Sequence, residues 1–277
     1  MEKHISKINY LINTEGIQKY KTKILSTKNM NIQDLNNNLK DYHINTKVYY
    51  EKQKLKGNPR PLPTFKFDND KNIGYIKFYH FLWTNDIFLL RDLEKIKILV
   101  DKKLKIWEEK QYNKLIIDLT DFKDGHYISL VESLGYLFGN ISLYGLINKE
   151  PKNIFTQPIW QNIKNNKLIE YLEVFRGSKL SFQGKISILV SKSTASGGLV
   201  SASIFSDRDN VKIIGQKPSE KISVNKTFIL DNTDLYLSLP TKLIINTKGN
   251  IIENIVPNII TNNFNESLKQ SYKYLLN

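Results

Sequence analysis

The spacing of hydrophobic positions changes several times along the chain, and each change marks an element. Ile8, Leu11 and Ile12 recur at helical spacing, as do Ile32, Leu35 and Leu39, so the N-terminal stretch predicts short helices. Residues 44–50 alternate as a strand does. The run Lys56-Gly57-Asn58-Pro59-Arg60-Pro61-Leu62-Pro63 then interrupts regular structure. Residues 72–79 predict a strand, and residues 86–111 a long amphipathic helix. Leu115-Ile116-Ile117 sits in a short apolar run over 114–119, the pattern of a buried strand, with a glycine-bearing loop and a helix over 128–138 after it.

The second half repeats this theme. Residues 185–190 predict a buried strand, 191–194 a loop, 195–205 a helix and 211–214 another buried strand. Residues 235–239 and 243–246 predict a closing hairpin, and 265–276 a terminal helix. Strands alternating with helices in this way predict an α/β fold.

Composition adds limits. A chain of 277 residues with 40% hydrophobic and 25% charged residues can bury a sizeable core. No apolar run is long enough to predict a membrane span. The opening Met1-Glu2-Lys3-His4-Ile5 leads into no apolar signal region, so the expected location is cytoplasmic. The absence of cysteine excludes disulfides, zinc–thiolate sites and a cysteine nucleophile. The net charge of +14 raises the question of a polyanion partner. Its basic residues are nearly all lysines, scattered along the chain, with arginine only at positions 60, 91, 176 and 208. That scatter reads as a solvated basic surface, and no nucleic-acid partner is expected.

The sharpest chemical signal is Val190-Ser191-Lys192-Ser193-Thr194-Ala195-Ser196-Gly197-Gly198. A hydroxyl there stands where a buried strand turns into a helix, among residues small enough for close backbone approach. Such a turn can expose an oxygen nucleophile and aim helix N-terminal amides at a developing oxyanion. The same residues also suit an ordinary serine or threonine N-cap followed by small packing residues.

The ordered surroundings resemble the C-terminal processing (tail-specific) serine peptidases. Thr194-Ala195-Ser196 is similar to that family's nucleophile segment, which puts Ser196 in the nucleophile position. Residues 72–78 resemble its Ile-Gly-Tyr-Ile strand, and residues 115–125 its Asp-Leu-Arg-x-Asn-x-Gly-Gly loop. Residues 215–225 resemble its Gly-Glu-Lys-Thr-x-Gly-Lys-Gly-Ser-Val-Gln segment, and residues 253–259 its Gly-Val-x-Pro-Asp ending. About thirty residues separate His43 from Ile73, too few for the PDZ domain inserted in many members. The chain therefore resembles a PDZ-less branch close to the tricorn protease core, and tail specificity does not follow from the resemblance.

The resemblance implies stacked ββα units of crotonase and Clp protease type, preceded by a small helical region. It divides the chain into residues 1–70, an N-terminal helical region and hairpin, and residues 71–277, the α/β peptidase core. It implies peptide hydrolysis of a polypeptide substrate through an acyl-enzyme, without cofactor or metal. The oxyanion donors would be the Gly197 and Gly125 amides.

Two general bases stay open. In the Ser–Lys branch the base stands 25 positions after the nucleophile, here Lys221, with Asn225 where a supporting glutamine would fall. In the tricorn-like branch it is a histidine, here His43 in Lys40-Asp41-Tyr42-His43, with Glu253 to orient the ring. Four histidines in the whole chain make a chance match at position 43 rarer than a chance lysine among 41 basic residues, which favours His43. His126 reads as a loop residue. The sequence departs from the family at Asp124, where a glycine is usual, and at Leu199, where a glutamate is common. A second reading is therefore a non-catalytic binding protein on the same fold, and a third a binder of nucleic acid or a membrane surface. Oligomeric state is not legible.

Overall fold

The structure is a computed structural model. It describes residues 8, 10–12, 32–42, 47–50, 62–79, 87–123, 130–131, 133–134, 137, 145–148, 169–171, 182–206, 208–230, 235–245 and 251–277. In chain order the first elements are α1 (Ile32–Tyr42), β1 (Lys47–Tyr50), β2 (Thr64–Asp68), β3 (Ile73–Lys77), α2 (Ile87–Glu109) and β4 (Lys114–Asp118). Next come β5 (Gly145–Asn148), β6 (Ile169–Tyr171), β7 (Lys185–Val190), α3 (Gly197–Phe205) and β8 (Val211–Gly215). The last are β9 (Val224–Ile229), β10 (Leu235–Ile245), β11 (Ile251–Ile252), β12 (Ile259–Ile260) and α4 (Phe264–Leu276).

These elements gather into two compact units, each built from three stretches of chain. One comprises Arg60–Leu143, Glu173–Glu220 and Asn254–Asn277, the other Met1–Pro59, Tyr144–Leu172 and Lys221–Glu253. The division into 1–70 and 71–277 follows chain order, whereas these units follow space.

The first unit is α/β, built on a six-stranded sheet ordered β12-β8-β7-β4-β3-β2. Every neighbouring pair is parallel except β2–β3. Buried parallel strands carry apolar residues on both faces, which is why 114–118 and 185–190 read as continuous apolar runs. On one face Ile73, Ile116, Leu189 and Ile214 form a core cluster with Leu275 of α4. On the other face Trp107 of α2 stacks on Phe67 and meets Phe65 edge-on. A Cβ on Gly74 would stand 2.7 Å from the Trp107 ring. Strand β2 lies beyond the expected elements. Its Phe65 and Phe67 alternate with Lys66 and Asp68, but the proline-rich run before it masks so short a pattern.

The second unit is an antiparallel sheet organised on β10, which pairs with β1, β5, β9 and β11. Ile8, Leu11, Ile12, Leu35 and Leu39 pack on Val48, Leu230, Leu237 and Leu239. The Asn36 side chain ties α1 to β1, donating to the Val48 carbonyl at 2.7 Å and accepting from its N–H at 2.6 Å.

The hairpin expected over 235–246 is replaced by the single eleven-residue strand β10. Pro240 lacks an N–H for the ladder, and the register with β9 shifts between Pro240 and Lys242. A bulge thus absorbs the proline without reversing the chain. The terminal helix starts at Phe264, where the Asn263 side chain accepts from the Glu266 N–H at 3.0 Å. Of the helix expected over 128–138, Leu130, Val131 and Ser133 are helical and much of the rest lies outside the described residues.

Candidate active site at the strand ends

Strands β3, β4 and β7 run in parallel, so their carboxyl ends open on one edge, where ligands of open α/β sheets collect. Beyond β7 the chain makes a short turn, Ser191 to Ser196, before entering α3. That helix begins at Gly197, two residues later than its pattern predicts, because Ser196 has φ 50° and ψ −125°. A non-glycine residue there is strained by on the order of 1–3 kcal/mol. The Ser196 side chain makes no capping bond to α3, so the plain N-cap reading does not describe it. Its carbonyl instead accepts from Leu199 and Val200 at 3.1 and 3.2 Å.

Helix α3 is buried along its whole length, and its first turn carries no acidic residue. Its first amides, from Gly197 onward, precede any intrahelical acceptor and carry the positive end of the helix dipole. Gly198 is a packing requirement, since a Cβ there would stand 2.9 Å from the Phe122 ring. At the end of β8, Gly215 has φ 149°, and an added Cβ would lie 1.9 Å from the Val190 carbonyl oxygen. Glycine there lets β8 run flush against the strand that leads to Ser196.

The turn is bonded to the segment after β4. The Thr194 hydroxyl donates to the Leu119 carbonyl at 2.9 Å and accepts from the Ser191 N–H at 2.8 Å. The Ser191 hydroxyl donates to the Thr120 carbonyl at 2.7 Å, and Ala195 N–H to the Phe122 carbonyl at 3.0 Å. Beneath them lies Asp118, fully buried at the end of β4. One of its oxygens accepts from the Thr120 N–H at 2.8 Å and hydroxyl at 2.6 Å, and the other from the Tyr75 hydroxyl. Lys77 lies 3.7 Å from Asp118 and 2.6 Å from Asp121. Burial and the Asp118 carboxylate raise the Tyr75 pKa well above its ordinary value. For Lys77 burial opposes the charge, yet Asp121 and Asp118 outweigh it and raise the pKa. A shallow pocket of about 300 Å³ opens here, lined by Lys77, Thr120, Asp121, Ser191, Ser193 and Phe264.

The sequence reading named none of Tyr75, Lys77, Asp118, Thr120 or Thr194 as functional. Asp118 had a signal, since a carboxylate closing an apolar strand must find donors.

Of the expected site residues, Ser196 and Gly197 stand together at this turn. Lys221 and Glu253 belong to the other unit, where the Ile222 N–H donates to the Glu253 carbonyl at 2.7 Å and brings the two segments side by side. The Asn225 amide meets Ser223 and Ser238 in that unit. His43, Asp124, Gly125 and His126 lie outside the described residues.

Comparison with solved structures shows the fold. A lipoprotein from Streptococcus agalactiae is 19% identical, with a TM-score of 0.67 over 99% of this chain and 95% of that one. A Parabacteroides merdae protein is 13% identical, with a TM-score of 0.60 over 99% and 93%. The photosystem II D1 C-terminal processing protease is 14% identical, with a TM-score of 0.50 over 81% of this chain and 54% of that one. A comparison with curated proteins finds no match. The profile of peptidase family S41 spans residues 72–261, from β3 through the Ser191–Ser196 turn to β12. With that match across most of its length, the chain belongs to peptidase family S41, the serine peptidases that its motifs resemble.

Proposed function

We propose that Ser196 is the nucleophile of a serine endopeptidase acting through an acyl-enzyme. The observation that carries this reading is the Ser196 backbone, held at φ 50° between a buried strand and a buried helix with no capping bond from its side chain. Strain at such a turn sets an oxygen outward at a helix N-terminus. In the acylation step Ser196 Oγ attacks the scissile carbonyl carbon and its proton passes to the base. The carbonyl oxygen gains negative charge, which the Gly197 and Gly125 amides stabilise. As the carbon–nitrogen bond breaks, the base returns the proton to the leaving amine. Water, deprotonated by the same base, then cleaves the ester and frees Ser196.

The base is His43, oriented by Glu253, with Lys221 as the alternative. A histidine titrates near neutrality unaided, whereas a lysine needs its pKa lowered by burial. The substrate is a polypeptide, no nucleic-acid partner is proposed, and the core is of crotonase type. Tail specificity is left to a comparison of substrates with free and amidated C-termini. A cytoplasmic location is tested by cell fractionation, and recovery in the membrane fraction, where a lipoprotein such as the Streptococcus relative belongs, would overturn it.

The deciding experiment is labelling with a fluorophosphonate, with the adduct mapped by mass spectrometry. We expect the adduct on Ser196, and loss of both labelling and hydrolysis of an unfolded protein in Ser196→Ala, whose fold is retained. Hydrolysis unchanged in that variant would remove Ser196 from the nucleophile role. A folded chain that neither labels nor cleaves would favour the binding-protein reading, which Asp124, standing in the sequence where the family usually has glycine, supports.

A further inference from the structure

The strained conformation of Ser196 needs something to hold it. On its C-terminal side the restraint is α3, whose Leu199 and Val200 amides bond to the Ser196 carbonyl. On its N-terminal side no regular element is present, and the restraint is the set of bonds between the 191–195 turn and the segment after β4. Three of those bonds come from hydroxyl side chains: Thr194 to the Leu119 carbonyl, and Ser191 and, more weakly at 3.3 Å, Ser193 to the Thr120 carbonyl. Thr194 is fully buried, and its one hydroxyl is used in both directions, accepting from Ser191 N–H and donating to the Leu119 carbonyl. Ser191 adds the bond to Thr120, whose own N–H and hydroxyl are held by the buried Asp118 carboxylate.

We propose that Thr194, assisted by Ser191, is a positioning residue that locks the nucleophile turn to the segment entering the oxyanion loop. The proposal rests on the reading of Ser196 as nucleophile. The bonded segment, Leu119 to Phe122, ends three residues before Gly125 in the chain. The Thr194 hydroxyl therefore helps to hold the turn carrying Ser196 against the segment that leads to Gly125, beside the Ser191 bond and the backbone bond from Ala195 to Phe122. Without it, Ser196 can relax towards negative φ, where a non-glycine residue is more stable. Substrate binding would survive such a change, but the alignment needed in the transition state would not.

The test uses Thr194→Val, Thr194→Ser and Ser191→Ala, with kcat and KM measured on one unfolded protein substrate and the rate of fluorophosphonate labelling measured in parallel. Thr194→Val keeps the shape and removes the hydroxyl. It should lower kcat and the labelling rate roughly tenfold to a hundredfold, since small misplacements of reacting groups have effects of this order, with KM within about twofold. Thr194→Ser should restore most of the rate, because the hydroxyl returns and only a methyl is lost. Ser191→Ala should show a smaller fall in kcat, also at constant KM.

Unchanged kcat in Thr194→Val overturns the proposal, as does a Thr194→Ser variant as slow as valine, which would assign the effect to packing. A fall in kcat/KM carried by KM alone also overturns it. If Thr194→Val does not fold, Ser191→Ala combined with Ser193→Ala decides alone, since both hydroxyls reach the Thr120 carbonyl, and wild-type kcat there overturns the proposal. The nucleophile reading fails separately: it is lost if the unmutated chain neither labels at Ser196 nor hydrolyses substrate, and this inference falls with it.

Discussion

The two sheets solve the same burial problem in opposite ways. In the parallel sheet, residues 115–118 and 186–190 are buried in the sheet interior, and their ends converge on one edge. Parallel strands point the same way, so successive strand-to-helix turns are neighbours, and here one turn carries Ser196 while the next is bonded to it. In the antiparallel sheet a single strand, β10, organises four partners, and its ends lead away in opposite directions. Such a sheet supplies a platform, with the segment of Lys221 tied to Glu253 by the bond from the Ile222 N–H to the Glu253 carbonyl. The parallel unit gathers strand ends at one edge, and the antiparallel unit presents side chains along its length.

That contrast is sharpened first by activity. If His43 is the base, His43→Ala should reduce turnover by about a thousandfold or more, comparable with Ser196→Ala, since triad members act as a unit. Lys221→Ala should then have a far smaller effect, Glu253→Gln an intermediate one, and the activity–pH curve should rise around 6 to 7. Full activity in His43→Ala removes the triad. Lys221→Ala as the inactivating change would make Lys221 the base; either candidate belongs to the stretches of chain that form the antiparallel unit.

Next in size is Gly215→Ala. Its Cβ would stand 1.9 Å from the Val190 oxygen at φ 149°, so we expect a loss on the order of 4 kcal/mol or outright failure to fold. A stability within about 1 kcal/mol of the unmutated chain in urea unfolding would show that β8 can separate from β7 at its end. Leu189→Ala and Leu237→Ala compare the two cores directly, since both side chains are fully buried, one in each sheet. Each should destabilise by about 3 kcal/mol, but only Leu189→Ala, two residues before Ser191, should speed amide exchange in the 191–196 turn. Equal effects on that turn would break the comparison.

The smallest effect is on alkaline stability. The folded state raises the pKa values of Tyr75 and Lys77 above the ordinary 10.0 and 10.5, so it holds these protons more tightly than the unfolded chain. Their contribution is fully present below about pH 10 and is lost as pH rises beyond it. Tyr75→Phe should flatten this fall in an alkaline unfolding series. An unchanged slope would mean that Tyr75 does not contribute.

Much of the parallel unit was legible because its physics is local. Apolar runs at 114–118, 185–190 and 211–215 can be satisfied only by burial on both faces, and α2 and α4 carry helical spacing and, for α4, an N-cap at Asn263. The antiparallel unit was harder to read. Strands β5 and β9 are short segments whose pairing lies with β10, β6 pairs only with β5, and the bulge at Pro240 shows as a break in sequence while the ladder passes through it.

The chain's own residues determined the α/β alternation, the family motifs, and a hydroxyl at position 196 between a strand and a helix. Only the tertiary structure decided that this hydroxyl belongs to a residue at φ 50° and that α3 begins after it. It also decided that Thr194, Ser191 and Asp118 tie the turn to the end of β4, more than seventy positions away in the chain. Spacing along a sequence encodes which face a residue takes within its own element. Which carbonyl a buried hydroxyl meets across two strands depends on sheet order and register, which are set by the packing of the whole unit.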